Sequence, residues 1–279
     1  MKAEVARQGE MIHLLYRAQE KEQLLLYYQP QVSLKTRRMV GVEALMRWDL
    51  PGRGFIQPGV FIPLAEQTGL IHSIGEWALL TACRQAARWR AMGLPPLRMA
   101  VNISVQQLAS PHFSQRVADI LQKTGLPPRY LELEVTESVA YRDIGDFPMR
   151  LNQLKQLGVS ISIDDFGTGF SSFGRIKLLP VDRIKLDTQF VRGIETSAYD
   201  RAVAGAVIDM AKGLEIKVIA EGLETTAQLD FLDRRMCDEV QGYFYFRPVP
   251  AARIETILQE NRPLCPAGWG PPDSGVGTE

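Results

Sequence analysis

Seven strand-like segments of this chain each carry a carboxylate, amide or ammonium side chain toward the downstream end of the strand. They are Glu43 in GVEALMRW, Asn102 in MAVNISV, Glu134 in LELEVTES, Asp164 and Asp165 in ISIDDFGTG, Lys185 in RIKLD, Glu221 in VIAEGLE and Gln241 in EVQGYFYF. Helical patterns lie between them, and strands alternating with helices argue for βαβ units with right-handed parallel crossovers. Closed into a (β/α)₈ barrel, such units gather the downstream strand ends at one mouth, the face where active sites of that fold lie.

The first two strands break the regularity. LLLYYQPQV (Leu24 to Val32) and MVGVEALMRW (Met39 to Trp48) are separated only by SLKTRR. So short a link cannot hold the crossover a parallel pair needs, so this pair is expected to be antiparallel. PGRGFIQPG then reads as a loop, followed by a short helical FIPLAEQ and a long helix through EWALLTACRQAARWRAM. Alternation continues from there to a last helix over Ala251 to Gln259, giving eight strands. The fold class expected is α/β, a modified TIM-like (β/α)₈ barrel with an antiparallel first strand pair. Residues 1–22 read as an amphipathic entry helix or linker, with Met11, Ile12, Leu14, Leu15 and Ala18 interleaved among charges. Residues 23–261 form the barrel domain, and 262–279, rich in Pro, Gly and small polar residues, a flexible tail.

A chain of 279 residues with 46% hydrophobic residues can bury one sizeable core. Lys plus Arg number 32, as do Asp plus Glu, so the basic footprint of a nucleic-acid groove is missing and polymeric DNA or RNA is not an expected partner. A small anion held through metal is compatible with that balance. Cys83, Cys237 and Cys265 lack metal-ligand spacing and read as reduced structural thiols of a cytosolic compartment. No stretch approaches the roughly 20 apolar residues of a membrane span, and the Met1 end lacks signal-peptide regions. A cytoplasmic location is expected, as a free protein or as the cytoplasmic part of a membrane-anchored parent.

Taken singly, Glu43, Asn102 or Glu134 could cap a helix, satisfy a loop or pair with an Arg. Together, hard oxygen groups crowded at one mouth repel one another unless cations neutralise them, which is how Mg²⁺ and Mn²⁺ sites are built. Adjacent Asp164 and Asp165 suit a pair of ions, one carboxylate bridging both and its neighbour holding the second. Two metals about 3.5–4 Å apart stabilise the attacking and leaving oxygens of an in-line phosphoryl displacement.

GVEALMRW, with Glu43-Ala44-Leu45, resembles the signature of the EAL-domain cyclic-di-GMP phosphodiesterases. The likeness runs from about Tyr27 to Pro250 through YYQPQV, FIPLAEQTGLI, VNIS, LEVTES, DDFGTGFSSF, LPVDRIKLD, AEGLE and QGYFYFRPVP. The resemblance implies metal-dependent hydrolysis of cyclic-di-GMP to linear pGpG with two Mg²⁺ or Mn²⁺ ions, Ca²⁺ being inhibitory. It implies that Glu43, Asn102, Glu134 and Asp164 ligate the first metal, Asp164 being shared and Asp165 serving the second. It gives Lys185 the attacking water, Glu221 and Gln241 the surrounding network, and Arg47, with Gln29, the substrate. Glu137 is implied to steady the loop DFGTGF, with Glu224 in a related supporting place. In that loop Gly167 and Gly169 permit positive φ and Ser171 and Ser172 suit a cap, while Phe170 and Phe173 stand where Tyr and Leu are common. Met236 stands where Gly is usual, a departure expected to affect packing. The resemblance further implies a homodimer and an upstream sensory or GGDEF domain in a longer parent. The alternative it leaves is a catalytically silent module that binds cyclic-di-GMP, a fate of relatives that have lost their ligands; here every ligand type is retained.

Overall fold

The computed structural model describes residues 2–137, 147–168, 176–260 and 262–264. Gly169, Phe170, Ser171, Ser172 and Phe173 of the glycine loop lie outside the described residues, as do Cys265 and the rest of the expected tail.

Nine strands occur among the described residues: β1 Leu24–Ser33, β2 Met39–Leu50, β3 Gly54–Ile56, β4 Arg98–Asn102, β5 Leu131–Thr136, β6 Ser160–Phe166, β7 Arg183–Leu186, β8 Lys217–Glu221 and β9 Glu239–Gln241. The sheet runs β1-β9-β8-β7-β6-β5-β4-β2 and returns to β1, closing an eight-stranded barrel with β3 added outside the closure on β2. β1 is antiparallel to both its neighbours, and every other adjacent pair in the closed barrel is parallel. The antiparallel first pair is therefore as the short SLKTRR link required.

Two segments depart from the sequence reading. PGRGFIQPG is not all loop: Gly52 and Gly54, at φ 81° and 68°, turn the chain so that Phe55 and Ile56 pair with Asp49 and Trp48. EVQGYFYF, whose aromatic run looks like strand, stops being strand at Gln241. A Cβ on Gly242 would run into the backbone of Leu223, and beyond it Phe244 donates its N–H to the Leu223 carbonyl at 2.9 Å. The aromatics of that run enter the core from a turn, with Phe244 and Tyr245 buried.

Helices α1 Lys2–Ala18, α2 Pro58–Thr68, α3 Ile71–Ala91, α4 Val105–Ala109, α5 Phe113–Thr124, α6 Phe147–Gln156, α7 Thr188–Arg192, α8 Ala198–Gly213, α9 Thr226–Arg234 and α10 Ala251–Glu260 surround the strands. The five-residue α4 and α7 were not expected, being too short to show a 3.6-residue period. Their caps begin them, Ser104 accepting from the Gln107 N–H and Asp187 from the Gln189 N–H. α1 is docked on the barrel: Met11, Leu15 and Ala18 are buried against Leu24, Trp48 and Phe61. At the other end the Leu264 N–H donates to the Arg37 carbonyl at 2.7 Å, tying that residue of the expected tail to the β1–β2 turn. No helix among the described residues is long and apolar enough to cross a membrane.

Met236 corrects the expectation about packing. Its side chain is exposed, but its backbone sits at φ 54° just past the end of α9. The Cys237 N–H reaches the Leu232 carbonyl at 3.0 Å and the Met236 N–H the Asp233 carbonyl at 2.8 Å, the two bonds of a Schellman ending. Glycine suits that position because a left-handed backbone brings Cβ close to the following carbonyl. The departure therefore acts on backbone conformation.

Apolar side chains fill the space between strands and helices, whereas the barrel interior is polar. Strands alternate their side chains, so RMAVN, LELEVT, RIKL and EVQ send Arg98, Glu132, Arg183 and Glu239 inward in one layer. Arg98 Nε lies 3.1 Å from Glu132 Oε1 and its Nη2 2.5 Å from Glu239 Oε2, while Arg183 reaches Glu132 Oε2 at 2.5 Å and Glu239 Oε1 at 3.5 Å. Two guanidinium groups and two carboxylates thus close a buried ring of alternating charge beneath the mouth. Gly41 leaves room for it, since a Cβ there would lie 2.7 Å from Gln31 Oε1 and 3.2 Å from Arg98 Nη2.

Candidate metal centre at the barrel mouth

The residues singled out in the sequence meet at the strand ends, and the register explains how. Glu43 stands opposite Gln29 on β1, Asn102 opposite Glu134, Thr136 opposite Asp164, and Glu221 opposite Gln241. Adjacent Asp164 and Asp165 pose a special problem, because successive strand residues face opposite ways. Between Ile163 and Phe166 the chain advances three residues while β7 advances two, from Ile184 to Leu186. This bulge, with Asp165 in the left-handed region at φ 55°, lets both carboxylates approach Glu221.

Lys185 is the hub. Its buried ammonium lies 2.8 Å from Glu134 Oε2, 2.9 Å from Glu221 Oε1, 3.1 Å from Asp164 Oδ1 and 3.4 Å from Glu43 Oε2. Glu43 also accepts hydrogen bonds from Asn102 Nδ2 at 2.6 Å and Gln241 Nε2 at 2.5 Å. Gln241 gives its second N–H to Gln29 Oε1 at 3.0 Å. Glu134 Oε1, in contrast, is buried with no hydrogen-bond partner.

These contacts separate the carboxyls electrostatically. Burial raises Glu43, but Lys185 and the bonds from Gln241 and Asn102 outweigh it and hold the group below the ordinary carboxylate range. Burial and the charge of Glu43 push Glu134 well above that range despite Lys185. Burial lifts Glu221 to about 8 against the pull of Lys185, and burial with Asp164 and Asp187 beside it lifts Asp165 to about 6. Burial lowers Lys185, yet the surrounding carboxylates raise it well above its usual value. One ammonium therefore does not neutralise the four carboxyls around it.

Metal ions fit this donor set. Oxygens of Glu43, Glu134 and Asp164 can be chosen within 4.8 Å of one another, as can those of Asp164, Asp165 and Glu221, so Asp164 belongs to both groups. The Glu134 oxygen without a partner is a buried acceptor that carries a desolvation penalty, which a cation beside it would offset.

Around the cluster opens a cavity of about 220 Å³ lined in part by Gln29, Glu43, Leu45, Glu221, Glu224 and Gln241. Arg47, two residues beyond Leu45 on the same face of β2, is half-buried, donates to the Met46 carbonyl at 2.8 Å and lies 5.8 Å from the centre of the Tyr27 ring. Glu137 accepts the Gly167 N–H at 2.9 Å, where the glycine loop begins. Glu224 sits on the rim, its carboxylate 2.7 Å from Arg192. Sequence reasoning missed Arg192, Gln31 and the buried ring beneath. The ring had a signal: Glu132, Arg183 and Glu239 stand two residues before Glu134, Lys185 and Gln241, a period-two repeat of polar residues.

A family model described as the EAL domain matches residues 13–248. The protein MucR of Pseudomonas aeruginosa, named a bifunctional diguanylate cyclase/cyclic di-GMP phosphodiesterase, is 44% identical over 254 residues, 91% of this chain and 37% of its own length. NbdA of the same organism, named a cyclic di-GMP phosphodiesterase, is 41% identical over 253 residues, 91% of this chain and 32% of its own. The chain thus spans about a third of the length of these curated relatives. Among solved structures, the PaMucR phosphodiesterase in complex with c-di-GMP superposes with a TM-score of 0.85 at 44% identity, covering 88% of this chain and 99% of that one. The EAL enzyme Bd1971 in its cAMP and cyclic-di-GMP bound form gives 0.87 at 30% identity, over 91% and 70%.

Proposed function

The chain belongs to the EAL domain family, and on that premise we propose that it is a metal-dependent phosphodiesterase hydrolysing cyclic-di-GMP to linear pGpG. The observation that carries the reading is the set Glu43, Glu134, Asp164 and Glu221 gathered on one buried lysine, with Asp165 close to Asp164 and Glu221 and a Glu134 oxygen left without a partner. A scaffold has no use for such a mouth, which a packed protein fills with apolar side chains.

Two Mg²⁺ or Mn²⁺ ions are held in this reading by Glu43, Asn102, Glu134 and Asp164 on one side and by Asp164 and Asp165 on the other. When bound, such ions supply Lewis-acid stabilisation of the oxygens in an in-line displacement at phosphorus. The chain's own side chains do the rest. Lys185, locked among carboxylates on four strands, orients the attacking water and offsets developing negative charge. Gln241 and Asn102 fix the plane of the Glu43 carboxyl by donating one N–H to each of its oxygens. Glu221 lies against the same network beside Asp164 and Asp165. Gln29 lines the cavity and Arg47 stands on the same strand face two residues beyond its lining residue Leu45, where a guanidinium can grip a phosphate with two N–H groups. Glu137 anchors the start of the glycine loop.

Homodimerisation, a cytoplasmic location and attachment to an upstream sensory or GGDEF domain belong to the same proposal. The greater length of the relatives supports the last of these. The deciding experiment is incubation with cyclic-di-GMP and Mg²⁺ or Mn²⁺ followed by chromatography. Linear pGpG is the expected product, and its absence while the nucleotide still binds would return the chain to the silent-receptor reading.

A further inference from the structure

The carboxyl of Glu43 is reached from the barrel floor by an unbroken line of buried hydrogen bonds. Arg98 Nη2 donates to Gln31 Oε1 at 2.8 Å, Gln31 Nε2 donates to Gln241 Oε1 at 3.0 Å, and Gln241 Nε2 donates to Glu43 Oε2 at 2.5 Å and to Gln29 Oε1 at 3.0 Å. Gln29 in turn gives its own N–H to the Phe246 carbonyl at 3.2 Å. All five side chains are less than a tenth exposed, Gln31 not at all.

The direction of this line is forced from its lower end. A guanidinium has only donors, whereas a glutamine amide has an oxygen on one side and an NH₂ on the other and can be turned either way. Arg98 therefore requires the Gln31 oxygen, which leaves the Gln31 NH₂ facing upward. That NH₂ requires the Gln241 oxygen, which sends both Gln241 hydrogens to the mouth, one to Glu43 and one to Gln29. Arg98 itself cannot turn, because Glu132 and Glu239 hold it from two sides and Arg183 closes the ring behind them. Gly41 gives Arg98 and Gln31 the space to meet.

We propose that Gln31 and Arg98 are positioning residues, which set the polarity of the Gln241 amide and through it fix Glu43 and Gln29 at the mouth. The inference rests on the metal-site reading above. A reversed Gln241 would put its carbonyl oxygen against the Glu43 carboxylate, and two acceptors would then repel where a ligand must be held still. Outer partners that orient a metal-binding carboxylate typically contribute about 10–100-fold in metal affinity or activity.

The test measures Mn²⁺ affinity by calorimetry on the full chain, with the fold checked by circular dichroism and melting. Gln31→Leu should bind Mn²⁺ roughly 10–100-fold more weakly than the unaltered chain. Gln31→Glu keeps an acceptor for Arg98 but has no hydrogen to give Gln241, so it should weaken binding at least as much although it is nearly isosteric. In a Gln241→Leu background, adding Gln31→Leu should cause no further loss, because the relay is already cut. Unchanged affinity in folded Gln31→Leu and Gln31→Glu overturns the proposal, as does a loss of the same factor with and without Gln241. Failure of Gln31→Glu to fold would assign Gln31 a purely structural role and likewise overturn it. If the unaltered chain binds no Mn²⁺, the metal-site reading falls first and the relay with it.

Discussion

The Lys185 ammonium stands 2.8 Å from one oxygen of Glu134, while the other oxygen of that carboxyl is buried with no partner. Lys185 thus meets one side of the group and leaves the other without a protein partner. Sequence reading gave Lys185 a single task, the attacking water; the structure adds that of internal counter-ion. Lys185→Met should therefore lower turnover on the order of 10²–10³-fold, as loss of one preorganised donor does. Without divalent ions it should also destabilise the fold by about 3–5 kcal/mol, the usual result of removing one partner from a buried ion pair. Denaturant melts in chelator, beside a product assay in Mg²⁺, read the two effects separately; a fully stable variant would remove the counter-ion role.

Stability without divalent ions should fall as the pH rises. Glu221, pushed up to about 8, and Asp165, pushed up to about 6, titrate near 4 when the chain is unfolded. Between about pH 4 and pH 8 the native state consequently binds more protons than the unfolded state, and stability declines as the pH climbs through that window. Glu221→Gln should flatten the upper part of the curve. Melting temperatures in chelator check this, and an unchanged slope in Glu221→Gln would contradict it.

Mg²⁺ or Mn²⁺ should support hydrolysis and raise the melting temperature, whereas Ca²⁺ should bind without turnover. Calcium takes more oxygen ligands at longer distances, so it can occupy the carboxylates without reproducing the geometry that the smaller ions demand. A chromatographic assay with each ion, and after exhaustive chelation, settles the matter. Undiminished activity in excess chelator would end the metal-dependent reading.

Met236→Gly should stabilise the protein by about 1 kcal/mol, since the left-handed conformation costs a residue with a Cβ roughly that much. The exposed side chain gives up little packing in exchange. Chemical denaturation of the two proteins under identical conditions is the measurement. A destabilised variant would show that the methionine contributes more through contact than its backbone costs.

The barrel and most of its mouth were legible in the sequence because both depend on period and placement. Glu43, midway along the long β2, and Asn102, Glu134, Asp164, Lys185 and Glu221, at or near the ends of their strands, all reach the mouth where alternation of strand and helix puts them. What stayed hidden depends on local backbone geometry or on partners distant in sequence. The bulge that brings Asp165 beside Asp164 leaves no composition signal, and the turn at Gly242 is dictated by the backbone of Leu223. Arg98 and Glu239 are 141 positions apart, so their pairing is set by barrel closure. Their types looked like ordinary charged strand residues until the interior proved to be polar.

The reversal of β1 has a consequence for how this domain can be wired to others. Because β1 alone within the closed barrel runs against its neighbours, the chain enters it at Leu24 on the mouth side, beside Trp48 and above the Gln29–Glu43 pair. The far end of the barrel is where Leu264 meets Arg37. Covalent inputs on the two sides are therefore unequal. A force transmitted through the N-terminal side enters β1 at Leu24, at the mouth, while one transmitted from the C-terminal side enters the β1–β2 turn at Arg37, at the floor; both bear on the strand that carries Gln29. A tether at the front pulls on the lip of the cavity; a tether at the back pulls on the turn that joins the two strands beneath it.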